Sequence, residues 1–292
     1  MTLLSDYSAS FARLALRPHA ALTILVALLA LALVWTLPAG LESASLLAAR
    51  AEPSWAPSGA DLPVIDDLPL RRAQGALAAG ALWSLACIGA VLLFALGDAV
   101  LVRASSSDRW PGLREAWADA VRQALPLSVI AFIALAWAGG AALVAFGLIG
   151  TRIETAATLS ASEWSAVALR LVPDAIWFAL AAPVVVAADL ARARLVVSGK
   201  RSGVLGVLWA SNRLLFSLVP WLAAAAALAL DAAVVILASL FRPAWEPLSA
   251  PVPAVAAIFM LGILLARIVV HGAYVGTLGR YALRLDDPES AA

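Results

Sequence analysis

Three ionisable residues stand in stretches that are otherwise almost wholly apolar: Asp231, Arg267 and His271. A charge deep in a bilayer costs at least about 2.5–3.5 kcal/mol on insertion scales, so such a residue is expected to have a partner or to face water. Asp231 lies ten residues before Phe241, and Arg267 lies twelve residues after Val255. At a rise of 1.5 Å per residue these positions are about 15 Å and about 18 Å from the same end of two adjacent helices. The spacing predicts a buried ion pair between Asp231 and Arg267, with His271 one turn further on and sharing the Arg267 face. Two kinds of chemistry fit. One is a clasp that fixes the register of two helices and adds little net stability. The other is a proton or anion relay, to which an imidazole is suited.

Other candidate chemistry is absent from the pattern. "VVSGKRSG" around Lys200 has a basic residue where a phosphate loop needs Ser or Thr, and it lacks the upstream glycine. His19 and His271 are the only histidines, and no metal-ligand spacing or nucleophile elbow occurs. No catalytic residue, metal site or cofactor is expected. The single cysteine, Cys87, reads as a small core residue.

The elements that must hold these residues are membrane helices. Of the 292 residues 63% are hydrophobic and 13% charged, against about 45–50% and about 25% in soluble domains. The net charge of +1 gives no basis for nucleic-acid binding. A span needs about 20 apolar residues. Six segments qualify: Ala20–Leu37, Ala73–Val102, Leu125–Gly150, Val167–Ala188, Leu214–Phe241 and Val255–Tyr281. The first is longer than the core of a signal peptide and reads as a retained span.

Basic residues set the orientation. Arg13, Arg17, Arg103, Arg109, Arg114, Arg122, Arg192, Arg194, Lys200, Arg201, Arg213, Arg280 and Arg284 fall on one side. Arg50, Arg71, Arg72, Arg152, Arg170 and Arg242 fall on the other. The expected fold is therefore a single all-α, polytopic membrane domain covering 1–292, with six transmembrane helices and both termini cytoplasmic. An acidic, proline-rich outer loop covers about 38–72. Shallower charges are expected to pair locally: Asp98 and Asp189 with Arg103, Arg192 and Arg194 at the headgroups, and Arg170 with Asp174 one turn away.

Short amphipathic helices are predicted at three cytoplasmic elbows: Tyr7–Pro18, Asp108–Pro126 and Gly203–Pro220, each ending in a proline where a span begins. In the second, Pro111 suits a first helical turn, with Leu113, Trp117 and Val121 on one face and Arg114, Glu115 and Arg122 on the other. The two internal elbows occupy about 103–124 and 190–213. Arg109, Arg114, Arg192, Arg194, Lys200 and Arg201 are the residues expected to meet lipid headgroups or a protein partner there. "GDAVLVR" (97–103) and "ADLARAR" (188–194) share an Asp-to-Arg spacing, which is either the trace of a duplicated hairpin or coincidence in an alanine-rich chain. Gly272 and Gly276 form a GxxxG pair, read as helix packing.

The Arg17-Pro18 entry, the "GDAVLVR" exit, the "GLREAWADAVRQALP" elbow and the "ARARLVVSGKRSG" turn resemble those of bacterial six-helix membrane domains. That group comprises domains related to the membrane part of glycerophosphodiester phosphodiesterases, together with their uncharacterised stand-alone relatives. The resemblance implies a membrane domain; in the phosphodiesterases the chemistry resides in a soluble domain to which nothing in these segments corresponds, so no catalytic residue carries over. Three functions stay open. The first is a non-enzymatic subunit of a bacterial plasma membrane that docks a partner through its cytoplasmic elbows. The second is a permease using Asp231, Arg267 and His271, and the third is a lipid-modifying enzyme.

Overall fold

The computed structural model describes residues 2–30, 87–107, 110–160, 162–199, 203–241 and 252–286. Among the described residues every regular element is helical. In chain order they are α1 (Thr2–Ala15), α2 (Pro18–Ala30), α3 (Cys87–Ser106), α4 (Leu113–Arg122), α5 (Ala124–Ala142), α6 (Thr151–Thr158), α7 (Glu163–Ser198), α8 (Gly203–Phe216), α9 (Val219–Phe241) and α10 (Val252–Asp286). Leu143–Gly150 winds as a π-helix and joins α5 to α6. Five helical stretches are long and apolar enough to cross a membrane, or six if the bent pair α1–α2 forms one span. The expected outer loop at 38–72 lies outside the described residues.

The chain forms two compact units, Val26–Leu93 and Met1–Leu25 with Phe94–Ala292. In the first, the described residues at 26–30 and 87–93 are helical. Cys87 is exposed rather than in a core, a correction that follows from its place at the first described turn of α3. All that follows concerns the second unit.

Helix breaks fall where the backbone chemistry puts them. The chain turns by 75° between α1 and α2, at Arg17-Pro18, because proline disfavours a helical conformation in the residue before it. At the second elbow Pro111 lies before the helix, not in its first turn. Gly112, at φ 101°, makes the turn that only glycine adopts readily, and α4 starts at Leu113. Ala116 and Ala120 form the buried face of α4, while Val121 is exposed. The span expected from Leu214 instead breaks at 217–218. There the Ser217 hydroxyl accepts the Val219 amide at 3.3 Å, satisfying one of the open donors at the start of α9.

The spans pack through small residues and tryptophans. Gly272 of α10 faces Leu14 and Leu101; a Cβ there would lie 2.6 Å and 3.1 Å from their side chains. Gly276 faces Ser105 and Ser10 closely enough that a Cβ would overlap Ser105. Without side chains of their own, these glycines let Leu14, Ser10, Leu101 and Ser105 pack directly on the α10 backbone. α7 is held to α5 by crossed indoles: Trp137 donates to the Leu180 carbonyl at 2.9 Å, and Trp177 to the Ala138 carbonyl at 3.1 Å. Pro183 leaves the carbonyl of Ala179 without its helical amide, and the Trp137 indole adds a donor at the next carbonyl, that of Leu180.

The C-terminus of α3 is enclosed by guanidinium groups. Arg17 donates to the carbonyls of Ala104 (2.5 Å) and Ser107 (3.0 Å). Arg13 donates to Ser106 (2.9 Å) and Arg280 to Ser105 (3.2 Å). The hydroxyls of Ser105, Ser106 and Ser107 each fold back, at 2.5 Å, on the carbonyl four residues earlier. A helix end leaves four carbonyls unsatisfied and carries partial negative charge. The arginines answer both and tie α1 and α10 to α3.

Candidate functional site

The most deeply buried charges lie where α3, α7 and α10 meet. Asp98 comes from α3, Asp189 and Arg192 from successive turns of α7, and His271 and Tyr274 from successive turns of α10. Asp98 is 3% exposed, Asp189 5% and Arg192 8%. The Arg192 guanidinium forks between the two carboxylates, Nη1 donating to Asp98 and Nη2 to Asp189. On the other oxygen of Asp98, His271 Nε2 sits at 2.7 Å. The His271 side chain keeps 31% of its surface exposed and is flanked by the rings of Phe94 and Tyr274, at 5.9 Å and 6.0 Å. The Tyr274 hydroxyl and the Arg192 Nε are buried without a hydrogen-bond partner of normal geometry.

Two carboxylates and one guanidinium leave this cluster one negative charge in excess. A proton on His271 brings the sum to zero. Isolated charge in a low-dielectric interior is expensive, so a neutral set is favoured over a charged one. Chemically the arrangement can hold three helices in one register, and it can take up or release one proton at the ring of His271, which is partly exposed. Among the described residues no group of three His, Cys, Asp or Glu is placed to hold a metal ion.

Several expected partners differ from those found. His271 does not join Asp231 and Arg267. Residues four apart on a helix are offset by about 40° in azimuth at 3.6 residues per turn, and α10 meets α3 one turn beyond Arg267, so His271 reaches Asp98 instead. Asp98 and Asp189 do pair with Arg192, one of the arginines expected, but in a buried site that both share. That removes Arg192 from the residues available to lipid or a partner, because its nitrogens point into the bundle. Arg194 is also engaged, by a bidentate bond to Asp286 (2.6 Å at the closer nitrogen) and by stacking 3.8 Å above Trp209. Arg103 turns to Asp119 at 3.6 Å. Arg170 pairs with Glu154 at 2.9 Å rather than with Asp174, since the short turn after α6 brings the two helices side by side.

Asp231 and Arg267 do meet. Arg267 Nε donates to Asp231 Oδ1 at 2.6 Å and Nη2 to Oδ2 at 3.0 Å. The pair is not buried, however: the two side chains are 31% and 49% exposed. α9 lies at the edge of the unit, so a residue in its middle still faces outward. Of the remaining predicted contact residues, Arg114 is exposed on α4, and Arg109, Lys200 and Arg201 lie outside the described residues.

The buried cluster left one trace in the sequence: Asp189 and Arg192 at i and i+3 on an apolar helix. The shared position of Asp98 and Asp189 in the two similar exit segments is a second, because the two aspartates meet on one arginine. No family model matches this chain, and neither a curated protein nor a solved structure was found to match it.

Proposed function

We propose that this chain is a non-enzymatic accessory protein of a bacterial plasma membrane. It crosses the bilayer six times, with both termini cytoplasmic, and docks a protein partner on its cytoplasmic elbows. The observation that carries the reading is the construction of that rim. Among the described residues, six basic side chains near the span ends are consumed internally: Arg13, Arg17 and Arg280 on the end of α3, Arg192 on Asp98 and Asp189, Arg194 on Asp286, and Arg284 on Asp6. These bonds make the rim rigid. The outward face of α4 is left to present Arg114, Glu115, Val121 and Arg122. A fixed platform with an exposed mixed-charge helix suits docking, since a preorganised surface loses little entropy on binding.

The test is purification of the tagged protein from its native host in mild detergent, followed by mass spectrometry of what accompanies it. A stoichiometric protein is expected, and Arg114→Glu with Arg122→Glu should lose it while the chain still inserts. Recovery of the chain without a stoichiometric partner overturns the reading.

One observation favours a second reading, proton-coupled transport: a partly exposed histidine on a buried cluster with one excess negative charge. In that case proton flux into proteoliposomes would depend on His271 and would be lost in His271→Gln. Flux equal to that of protein-free vesicles removes it.

A further inference from the structure

The Asp231–Arg267 pair has a physical problem that its own geometry does not solve. Asp231 is twelve residues from the start of α9 and ten from its end, so it lies near the middle of the span. Both side chains nonetheless stay partly exposed, Asp231 by 31% and Arg267 by 49%. Charged groups in that position are costly unless something covers them. Arg267 also uses only two of its three nitrogens on Asp231, and among the described residues Nη1 makes no hydrogen bond. The surrounding surface is apolar and exposed: Leu228 and Val235 flank Asp231 on α9, and Met260 and Leu264 precede Arg267 on α10.

We propose that this face is a homodimer interface, in which each Arg267 Nη1 donates to Asp231 of a second copy. The argument rests on depth. A membrane protein inserts with one orientation, set by its basic loops. Copies in one bilayer are therefore parallel, and the two-fold axis of a dimer must lie along the membrane normal. Such an axis sets each residue of one copy at the depth of the same residue in the other. Asp231 and Arg267 are in contact, so they share a depth. Any two-fold packing of this face thus brings an acidic and a basic group level with their counterparts. The four charges close into a ring, which satisfies Nη1 and removes both pairs from lipid. A different partner would have to supply an acceptor at this depth independently. Polar contacts of this kind hold membrane helices together where apolar burial cannot.

The experiment uses the full chain with Cys87→Ser and one introduced cysteine. Leu228→Cys and Val235→Cys are oxidised in native membranes, with Leu135→Cys on the exposed face of α5 as control. A disulfide-linked species of twice the chain mass is expected from the α9 positions and not from the control. In nanodiscs of phosphatidylethanolamine and phosphatidylglycerol, native mass spectrometry should find two copies. Replacing both charges, Asp231→Leu with Arg267→Leu, keeps the spans apolar and should weaken dimerisation by roughly tenfold or more. Exchanging them, Asp231→Arg with Arg267→Asp, should preserve the dimer, because every pairing within and between copies is restored. A wild-type chain that stays monomeric overturns the proposal. So does cross-linking from α5 as strong as from α9, or a dimer that is undiminished when both charges are removed.

Discussion

His271 on α10 and Asp98 on α3 are 173 positions apart in sequence, and His271 Nε2 lies 2.7 Å from Asp98 Oδ1. Asp98 thereby carries two bonds at once, to His271 and to Arg192, and through Arg192 it is linked to Asp189. Three membrane helices are joined at one carboxylate. The consequences can be tested separately.

Arg192 is the only cation within the buried part of the cluster that is always charged. Arg192→Leu leaves two carboxylates close together in a site from which water is excluded. Removing one member of a buried ion set typically costs about 3–5 kcal/mol. The triple variant Asp98→Asn, Asp189→Asn, Arg192→Leu removes the charges together and should recover most of that loss. Thermal unfolding in detergent, followed by tryptophan fluorescence, compares the two; equal destabilisation would show that charge balance is not what Arg192 supplies.

At His271 the hydrogen bond and the ring volume can be separated. His271→Gln keeps a donor for Asp98, whereas His271→Phe keeps the ring and leaves a carboxylate oxygen without its donor. Loss of a partner to a buried polar group costs about 1–3 kcal/mol. The Phe variant should unfold at a lower temperature than the Gln variant. The reverse order would assign His271 a packing role alone.

Two glycines on α10 should respond oppositely to the same change. Gly276→Ala drives a methyl group into Ser105, and Gly262→Ala adds one to open space. Overpacking costs about 1–3 kcal/mol, while Gly→Ala in an unobstructed helix gains up to about 1 kcal/mol. Melting temperatures should therefore fall for the first and hold or rise for the second. The cluster also depends on this approach, since it is the close packing of α10 that brings His271 to Asp98.

Arg17 bonds two carbonyls at the end of α3 and stacks 5.6 Å from the Trp110 ring. Arg17→Gln removes a charge-assisted contact worth about 1.5–3 kcal/mol. Hydrogen exchange should accelerate first in the last turn of α3, with α9 unaffected. Uniform acceleration across both helices would mean that Arg17 acts on the whole bundle and not on this helix end.

Among the described residues the sequence by itself marked long helices apolar enough to cross a membrane, because length and composition decide that locally. Proline likewise marked the break at Arg17-Pro18, and placed the start of the elbow helix near Pro111 to within two residues, since its backbone restrictions act on immediate neighbours. Depth was also legible: a fixed rise per residue placed Asp231 and Arg267 level with each other, and they meet. Which charges share a buried site was decided only by tertiary structure. Depth fixes one coordinate of a side chain; its azimuth and its neighbouring helix depend on how the helices pack. Four residues separate Arg267 from His271, and about 40° of rotation sends one outward to Asp231 and the other inward to Asp98. The i, i+3 spacing of Asp189 and Arg192 pointed to their pairing, but no local pattern records that His271 joins Asp98 and Arg192 in one buried site.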